Sequence, residues 1–312
     1  LAFTLANGFA YVELAMQAGL PVDTFAPRLS FFFNAHIDFF EEIAKYRAAR
    51  RIWARWMKEK YGATNERSLQ LRFHAQTAGV SLTAQQPEVN IVRTAVEALA
   101  AVMGGAQSLH TNSMDEAMAL PTEKAARIAL RTQQVIAHET NVTHVADPLG
   151  GSWFVEELTN KIEELAEAMF AEISELGHGS MLEGCIQGIE DNWFQGRISD
   201  SAYELERAFN SGERIVVGAN RFKEGNEDDS LDLLRISQEQ EKEQRHRLAA
   251  VRQDRNDGAV LEAREQLQRD ASQSDVNLMP ALINAANSYV TLGEMMSSLG
   301  EVFGRHVEVP VI

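Results

Sequence analysis

The residues with the clearest chemical potential lie along one predicted strand, residues 68–76. Side chains alternate along a strand, so two glutamines, an arginine and a histidine fall on one face and apolar residues fall on the other. These polar residues are Gln70, Arg72, His74 and Gln76. A helical pattern and another strand follow, which indicates a parallel sheet with both faces buried. A buried row of such side chains needs hydrogen-bond partners, and this predicts a polar ligand inside a barrel.

Three other short segments are predicted to be strands: residues 28–34, 105–112 and 144–151. The first repeats the alternation, with Arg28 and Ser30 on its polar face. The second is polar almost throughout, and the third ends in a cluster of turn-forming residues.

Helical patterns separate these strands. They cover residues 39–60, 89–103, 123–139 and 156–176, and a further one covers residues 1–19. Strand followed by helix, four times over, predicts an α/β fold, the C-terminal half of a (β/α)8 TIM barrel. Four strands cannot close a barrel and the sequence has no initiating Met, so we expect it to be the C-terminal portion of a longer polypeptide.

The sequence pattern changes after Gly177, which predicts two domains. We expect residues 1–177 to form the half-barrel with its polar ligand site, and residues 178–312 to form a mostly helical extension. Within the extension we predict a charged loop over residues 223–232, exposed helices over 238–269 and further helix over 275–303. Thr291 and Glu294 match a capping box for the last helix.

Composition argues against several classes of function. The chain has 312 residues, of which 45% are hydrophobic, so it can bury a sizeable core. Its net charge of -16 at pH 7 argues against a nucleic-acid surface, although basic groups gathered locally can still bind an anion. Cys185 is the only cysteine and no signal peptide or membrane-length apolar run occurs, so we expect a cytoplasmic protein without a membrane anchor. The sequence contains no zinc cluster motif and no glycine-rich phosphate loop, and it predicts no metal site.

Six segments carry a resemblance to a known family. They are residues 25–32, 74–83, 91–95, 107–117, 145–152 and 211–218. In order and spacing, and over nearly the whole chain, they resemble the methylmalonyl-CoA mutase family. Agreement of that extent is far more specific than any single short motif.

The resemblance implies an adenosylcobalamin-dependent acyl-CoA mutase, with the pantetheine arm of CoA along the axis of a (β/α)8 barrel. The implied reaction is a radical carbon-skeleton isomerisation, first of all of methylmalonyl-CoA to succinyl-CoA. The large subunit of an isobutyryl-CoA or 2-hydroxyisobutyryl-CoA mutase is the alternative. An alternative of another class is a barrel fragment that binds CoA or a partner without catalysis.

By resemblance, six residues contact the substrate through its CoA portion. They are Arg28, Ser30, His74, Gln76, Gln107 and Ser108. A guanidinium suits this role, since it can pair bidentately with phosphate oxygens. From residue types alone, Arg28 could equally pair with a buried carboxylate, and His74 could be a structural imidazole.

Five further residues match positions near adenosylcobalamin. They are Gly79, Asn112, Glu116, Ala119 and Leu120. A glycine at the barrel rim lets a planar corrin ring approach the backbone, although sequence alone favours an ordinary turn glycine at position 79. Glu116, together with Asp115, could also favour the N-terminus of the following helix.

Two features of the family are missing from this sequence. No Asp-x-His-x-x-Gly motif occurs, so we expect the histidine that ligates cobalt to come from another domain or chain. The catalytic residues around the acyl group are expected upstream, and substrate choice depends on them. Val80 and residues 86–90 depart from the pattern of fused-chain members. We therefore expect a hetero-oligomer with a separate small cobalamin-binding subunit.

Overall fold

The structure, a computed structural model, describes residues 1–224 and 233–307. Two compact units divide the chain, the first over Leu1–Leu234 and the second beginning at Arg235. Most of the predicted charged loop, residues 225–232, lies outside the described residues.

Three parallel strands form the sheet of the first unit, in the spatial order β1, β2, β3. They are β1 (Phe31–Ala35), β2 (Phe73–Thr77) and β3 (Ser108–His110). β3 lies inside its predicted segment, whereas β1 and β2 each end one residue beyond theirs. All three strands are shorter than predicted, because turns and irregular backbone occupy the start of each segment. Parallel strands joined through helices make this an α/β arrangement, as predicted.

The prediction of a fourth strand over residues 144–151 is wrong. The chain there forms a 3-10 turn over Val142–His144 and then tight turns, with Asp147 in the left-handed region at a φ of 46°. The guanidinium of Arg47 donates to the carboxylate of Asp147, at 2.6 Å from Oδ2. The N–H of Gly150 donates to the carbonyl oxygen of Asp147 at 2.9 Å. A long-range ion pair and a local turn therefore replace the strand.

Eight α-helices belong to the described part of the first unit. They are α1 (Ala2–Gln17), α2 (Val22–Phe25), α3 (Phe39–Glu59), α4 (Val89–Met103), α5 (Glu123–Glu139), α6 (Trp153–Leu176), α7 (Met181–Glu190) and α8 (Trp193–Ser211). The five helices predicted before Gly177 are confirmed, with ends that differ by a few residues at most. Because α7 packs against α1 and α6, the first unit continues past Gly177. The placement of the end of the barrel at Gly177 stays a prediction.

Aromatic residues fill the core between the sheet and its helices. Phe9 of α1 stacks on Trp53 and Trp56 of α3, with ring centroids 5.5 and 4.5 Å apart. Beneath them, Phe33 of β1 and Phe73 of β2 pack edge to face at 5.5 Å. The helix-covered face of the sheet is therefore its hydrophobic face. Among the described helices, none combines the length and apolarity that crossing a membrane requires.

The second unit contains four helices in its described residues. They are α9 (Gln238–Asp254), α10 (Asp257–Ala271), α11 (Met279–Asn287) and α12 (Leu292–Phe303). Small apolar residues of α10 and α11, together with Val290, form its core. α9 buries none of its residues, which confirms the prediction of an exposed helix over the first half of residues 238–269. The prediction is wrong for α10, whose Val260, Ala263 and Leu267 are buried. The predicted capping box of α12 is confirmed, since Thr291 N–H donates to Glu294 Oε2 at 2.8 Å.

Candidate functional site

The face of the sheet opposite the aromatic core aligns polar residues from all three strands. Strand register places Phe32, His74 and Ser108 side by side, and Asn34 beside Gln76 nearer the carboxyl ends. His74 Nδ1 lies 2.5 Å from Ser108 Oγ, and the rings of Phe32 and His74 are 5.3 Å apart. We call this surface the open face. It brings together three of the residues predicted to bind CoA, namely His74, Gln76 and Ser108.

This face is exposed, whereas the sequence predicted that both faces would be buried. Phe32 keeps 54% of its surface exposed, and Ser108 is exposed as well. On the opposite face Phe33 and Ala75 are buried against the helices. Helices cover one face only in the described part of the chain, and the polar side chains of the other face border open space there. The open face therefore has room for a ligand.

Arg28 and Ser30 lie at the amino end of the sheet and not within β1. Arg28 ends a 3-10 turn, Ser30 immediately precedes β1, and both are exposed. The predicted alternation is wrong here because Arg72 donates to the carbonyl oxygens of Pro27 and Leu29, the latter at 3.1 Å, and stabilises a turn. Arg28 is exposed in the described part of the chain, so no buried carboxylate pairs with it there.

Gln107 binds backbone groups beside the start of β3. Its Oε1 accepts from Phe73 N–H at 2.7 Å, and its Nε2 donates to the carbonyl oxygen of Gly105 at 3.0 Å. Both ends of the amide are thus engaged, and Gln107 fixes the start of β2 relative to β3. The structure does not bring it to His74 and Ser108, and its contact with CoA stays a prediction.

Three of the five residues matched to the cofactor meet at the carboxyl ends of β2 and β3. Gly79 begins the 3-10 turn Gly79–Ser81, two residues after the end of β2 at Thr77. A Cβ built on Gly79 would lie 3.0 Å from Asn112 Nδ2 and 3.8 Å from Glu116 Cγ. The close approach depends on the missing side chain of residue 79. We call Gly79, Asn112 and Glu116 the rim cluster.

Asn112 carries a hydrogen-bond donor without a partner. Its backbone N–H donates to Thr77 Oγ1 at 2.9 Å, and its Oδ1 accepts from Gln76 Nε2 at 3.2 Å. Its Nδ2 is buried and has no hydrogen-bond partner among the described residues. Buried donors of this kind are rare and costly, so the amide is a candidate for contact with a ligand beside Gly79.

Asp115, rather than Glu116, organises the loop after β3. Asp115 accepts from the Ser113 hydroxyl at 2.5 Å and from Thr122 N–H at 2.9 Å, and Thr122 caps α5. Glu116 is exposed and lines a cavity of about 220 Å³ together with His110. Of the two acidic residues, Asp115 is therefore the one that acts at the helix N-terminus.

The two remaining cofactor candidates, Ala119 and Leu120, follow on the same loop. Ala119 is partly buried, and its N–H donates to the carbonyl oxygen of Asp115 at 3.1 Å. Leu120 is half exposed and pairs through its backbone with Leu234. Their contact with cobalamin stays a prediction.

Three buried polar residues of α4, Asn90, Arg93 and Glu97, had no predicted role. They recur at intervals of three and four in a helix whose only other polar residue is the buried Thr94, so a signal for one polar, buried stripe was present. Asn90 Nδ2 donates to the carbonyl oxygens of Thr83 and Met114, at 2.8 and 2.9 Å. Asn90 therefore joins the loop after β2 to the loop after β3.

Arg93 and Glu97 continue this polar stripe. Arg93 donates to Thr83 Oγ1, Asn90 Oδ1 and the carbonyl oxygen of Val217, at 3.0, 2.7 and 2.6 Å. Glu97 is fully buried, and neither of its carboxylate oxygens has a hydrogen-bond partner among the described residues. Burial raises the pKa of Glu97 to about 7.

Comparison with known proteins decides the family. A sequence profile that describes methylmalonyl-CoA mutase matches residues 1–305. The chain belongs to the methylmalonyl-CoA mutase family. It is 46% identical over 310 residues to the 2-hydroxyisobutanoyl-CoA mutase large subunit of Aquincola tertiaricarbonis. It is 43% identical over 313 residues to the methylmalonyl-CoA mutase of Rhizobium meliloti, and 42% over 307 residues to the mitochondrial methylmalonyl-CoA mutase of Mus musculus.

These similarities extend over the whole of this mutase-family chain but over only part of each relative. They cover 99%, 100% and 98% of the chain, and 54%, 43% and 40% of the three relatives in the same order. The chain thus spans about half the length, or less, of the curated relatives it matches. The family resemblance that six short segments indicated is confirmed.

Proposed function

We propose that this chain is the C-terminal part of a (β/α)8 barrel in an acyl-CoA mutase, an isomerase that uses adenosylcobalamin. Residues 1–177 contribute strands and helices of the barrel, and residues 178–312 a helical extension. One observation carries the proposal: the rim cluster lies at the carboxyl ends of parallel strands whose open face is polar. Ligands of parallel α/β folds bind at that end of the strands.

The open face is proposed to bind the CoA portion of the substrate. Arg28 is exposed at the amino end of the sheet, where a guanidinium suits the phosphate groups of CoA. His74 and Ser108 lie in the middle, where an imidazole and a hydroxyl suit the amides of the pantetheine arm. Gln76 lies beyond them, next to Asn112. The candidates thus follow the strands in the order in which an extended acyl-CoA presents phosphates, amides and thioester.

The rim cluster fits adenosylcobalamin. Gly79 allows a large planar ring to approach the backbone, and the unpartnered Asn112 Nδ2 offers it a hydrogen-bond donor. Glu116, exposed beside them, offers an acceptor for a sugar hydroxyl. When bound, adenosylcobalamin supplies the radical chemistry of a carbon-skeleton isomerisation. The residues of this chain bind and orient the substrate and keep water from the reacting groups.

Methylmalonyl-CoA, isomerised to succinyl-CoA, is the substrate that we propose first. The relative at 46% identity is named 2-hydroxyisobutanoyl-CoA mutase large subunit, which makes that acyl group the second candidate, ahead of isobutyryl-CoA. The words "large subunit" in that name support a hetero-oligomer in which a separate small subunit carries cobalamin. We also propose a cytoplasmic location, from the single cysteine.

The test uses the full-length protein with adenosylcobalamin, with and without a small cobalamin-binding subunit. Chromatography of the CoA esters measures turnover. Conversion of methylmalonyl-CoA to succinyl-CoA would support the first candidate. Turnover of 2-hydroxyisobutyryl-CoA or isobutyryl-CoA instead would make that compound the substrate. Full activity without the added subunit would contradict the two-subunit proposal. Acyl-CoA binding without turnover of any of the three substrates, with both subunits present, would favour a non-catalytic barrel.

A further inference from the structure

Glu97 is a buried carboxyl group that the proposed chemistry does not use. Its side chain has no exposed surface, and both carboxylate oxygens lack hydrogen-bond partners among the described residues. A carboxyl group in such surroundings is costly when charged, and groups of this kind concentrate at functional sites. Its position near the rim cluster points to a role there.

Glu97 lies against the segment that carries Gly79. The hydroxyl of Ser81 and the N–H of Ala78 are the polar groups of that segment nearest its carboxyl group, and both lower the pKa of Glu97 in part. Neither forms a hydrogen bond of good geometry with it, and the Ala78 N–H already donates to the carbonyl oxygen of Ala35 at 2.8 Å. Glu97 therefore contacts the segment without a partner strong enough to hold a negative charge.

Three other ionisable groups face Glu97 from the helices packed around it. Glu42 and Tyr46 lie on α3, and Arg93 lies one turn earlier on α4. Arg93 forms no ion pair with Glu97, because its guanidinium donates to three oxygen atoms elsewhere, and its charge offsets the effect of burial only in part. Burial dominates and the charge of Glu42 adds to it, so the pKa of Glu97 rises to about 7.

We propose that Glu97 is a positioning residue for the rim cluster. Its neutral carboxyl group supports residues 78–81, and its ionisation loosens that segment and shifts Gly79 relative to Asn112. The consequence for function is that adenosylcobalamin binds more weakly when Glu97 is ionised. That consequence rests on the proposed function, whereas the loosening of the segment can be measured without any cofactor.

The direction of the effect follows from proton linkage. With the segment closed, the pKa of Glu97 is about 7, and when opening exposes the group to water its pKa returns toward the ordinary 4.5. Between these two pH values the open state binds fewer protons, so opening becomes more favourable as the pH rises. Below the lower value both states are protonated, and well above pH 7 both are ionised, so the dependence levels off.

Hydrogen exchange on the full-length protein without cofactor is the first test. Protection of the backbone amides of residues 78–83, corrected for intrinsic exchange, should fall about tenfold from pH 6 to pH 8. Glu97→Gln is neutral at both pH values, so its protection should stay constant. Thr94→Val is the matched control, because it replaces a neighbouring buried hydroxyl that also lacks a partner, and it should keep the wild-type dependence.

Ser81→Ala keeps the proposal testable if Glu97→Gln does not fold. The Ser81 hydroxyl lowers the pKa of Glu97, so its removal should move the midpoint of the exchange transition to higher pH. A midpoint that stays in place in this variant would count against the role of Glu97.

Adenosylcobalamin affinity, followed by absorbance titration of the assembled enzyme, is the second test. Wild-type affinity should fall from pH 6 to pH 8, by up to about tenfold if the ionised form does not bind, and the affinity of Glu97→Gln should not change. Equal pH dependence in the two proteins, in exchange or in affinity, overturns the positioning role and leaves the mutase proposal intact. A wild-type enzyme that binds no adenosylcobalamin at either pH overturns the proposed function, while exchange still decides the role of Glu97.

Discussion

The open face of the sheet and the rim at its carboxyl ends hold polar groups in opposite ways. On the open face, side chains such as His74 and Ser108 reach solvent and pair with each other. At the rim, buried side chains of α4, above all Asn90, hold the backbone carbonyl groups of two loops. Water competes for the hydrogen bonds of the open face, whereas the loss of a partner at the rim leaves a buried polar group without a hydrogen bond. The rim is therefore pre-organised, and the open face can adapt to its ligand.

We expect the largest difference between the rim and the open face, in stability, when one asparagine of each region is replaced by alanine. Asn90→Ala leaves one buried carbonyl group, one part-buried carbonyl group and part of the Arg93 guanidinium without this partner, and should lower the free energy of unfolding by about 3 kcal/mol or more. Asn34→Ala, an exposed change on the open face, should stay within about 0.5 kcal/mol. Urea unfolding of the full-length protein measures both. Equal losses would remove the contrast between a pre-organised rim and an adaptable face.

Gly79→Val should weaken adenosylcobalamin binding by about 2–3 kcal/mol, or roughly a hundredfold. A Cβ at this position already lies 3.0 Å from Asn112 Nδ2, and a branched side chain would fill the space proposed for the corrin ring. Gly196→Ala is the control, because a Cβ there meets nothing within 4 Å. Absorbance titration of the assembled enzyme gives both affinities, and an unchanged value for Gly79→Val would take Gly79 out of the cofactor site.

Arg28→Ala should weaken CoA binding by on the order of 1–3 kcal/mol, the range for a lost charge-assisted hydrogen bond. Exposed charges are screened by salt, so the loss should shrink as ionic strength rises. Arg67→Ala, which removes another exposed arginine from the loop before β2, is the matched control and should have little effect. Calorimetric titration with CoA measures the affinities, and equal losses in the two variants would point to net charge rather than to a site.

Ser108→Ala should have the smallest effect, about 1 kcal/mol on acyl-CoA affinity and less on stability. Its hydroxyl is exposed and pairs with His74, so water replaces it when no ligand is bound. A double-mutant cycle with His74→Ala should show coupling in acyl-CoA binding, since the proposal has both residues contact one arm. Additive losses would mean that the two side chains act separately.

Helices before Gly177 could be predicted from the sequence because their apolar residues recur with helical spacing over many turns. The strand predicted over residues 144–151 failed for a physical reason that no local pattern contains. Asp147 is bound by Arg47, a residue 100 positions earlier in the chain, and this contact favours a turn over an extended backbone. The exposure of the open face could not be predicted either, because the alternation of polar and apolar residues along a strand does not show whether helices cover one face of the sheet or both.

The residues of the candidate site, too, could be predicted only in part. Family resemblance indicated Gly79, Asn112 and Glu116 separately, and the structure brings them into one cluster. Asn90 and Glu97 escaped because a polar residue in a helix ordinarily faces solvent. Asn90 is buried by the loops that fold over α4, and Glu97 by α3 and by the segment that carries Gly79. Such contacts between distant parts of the chain are not encoded in sequence periodicity.

Asn90 binds two loops through their main-chain oxygen atoms, and this has a consequence for which changes the loops can tolerate. Every amino acid supplies the same carbonyl group, so mutations at residues 83 and 114 can alter side chains without releasing the amide that joins them. The separation of the two loops depends on one position of α4. The side chains that line the rim can therefore be changed by mutation while its geometry is kept.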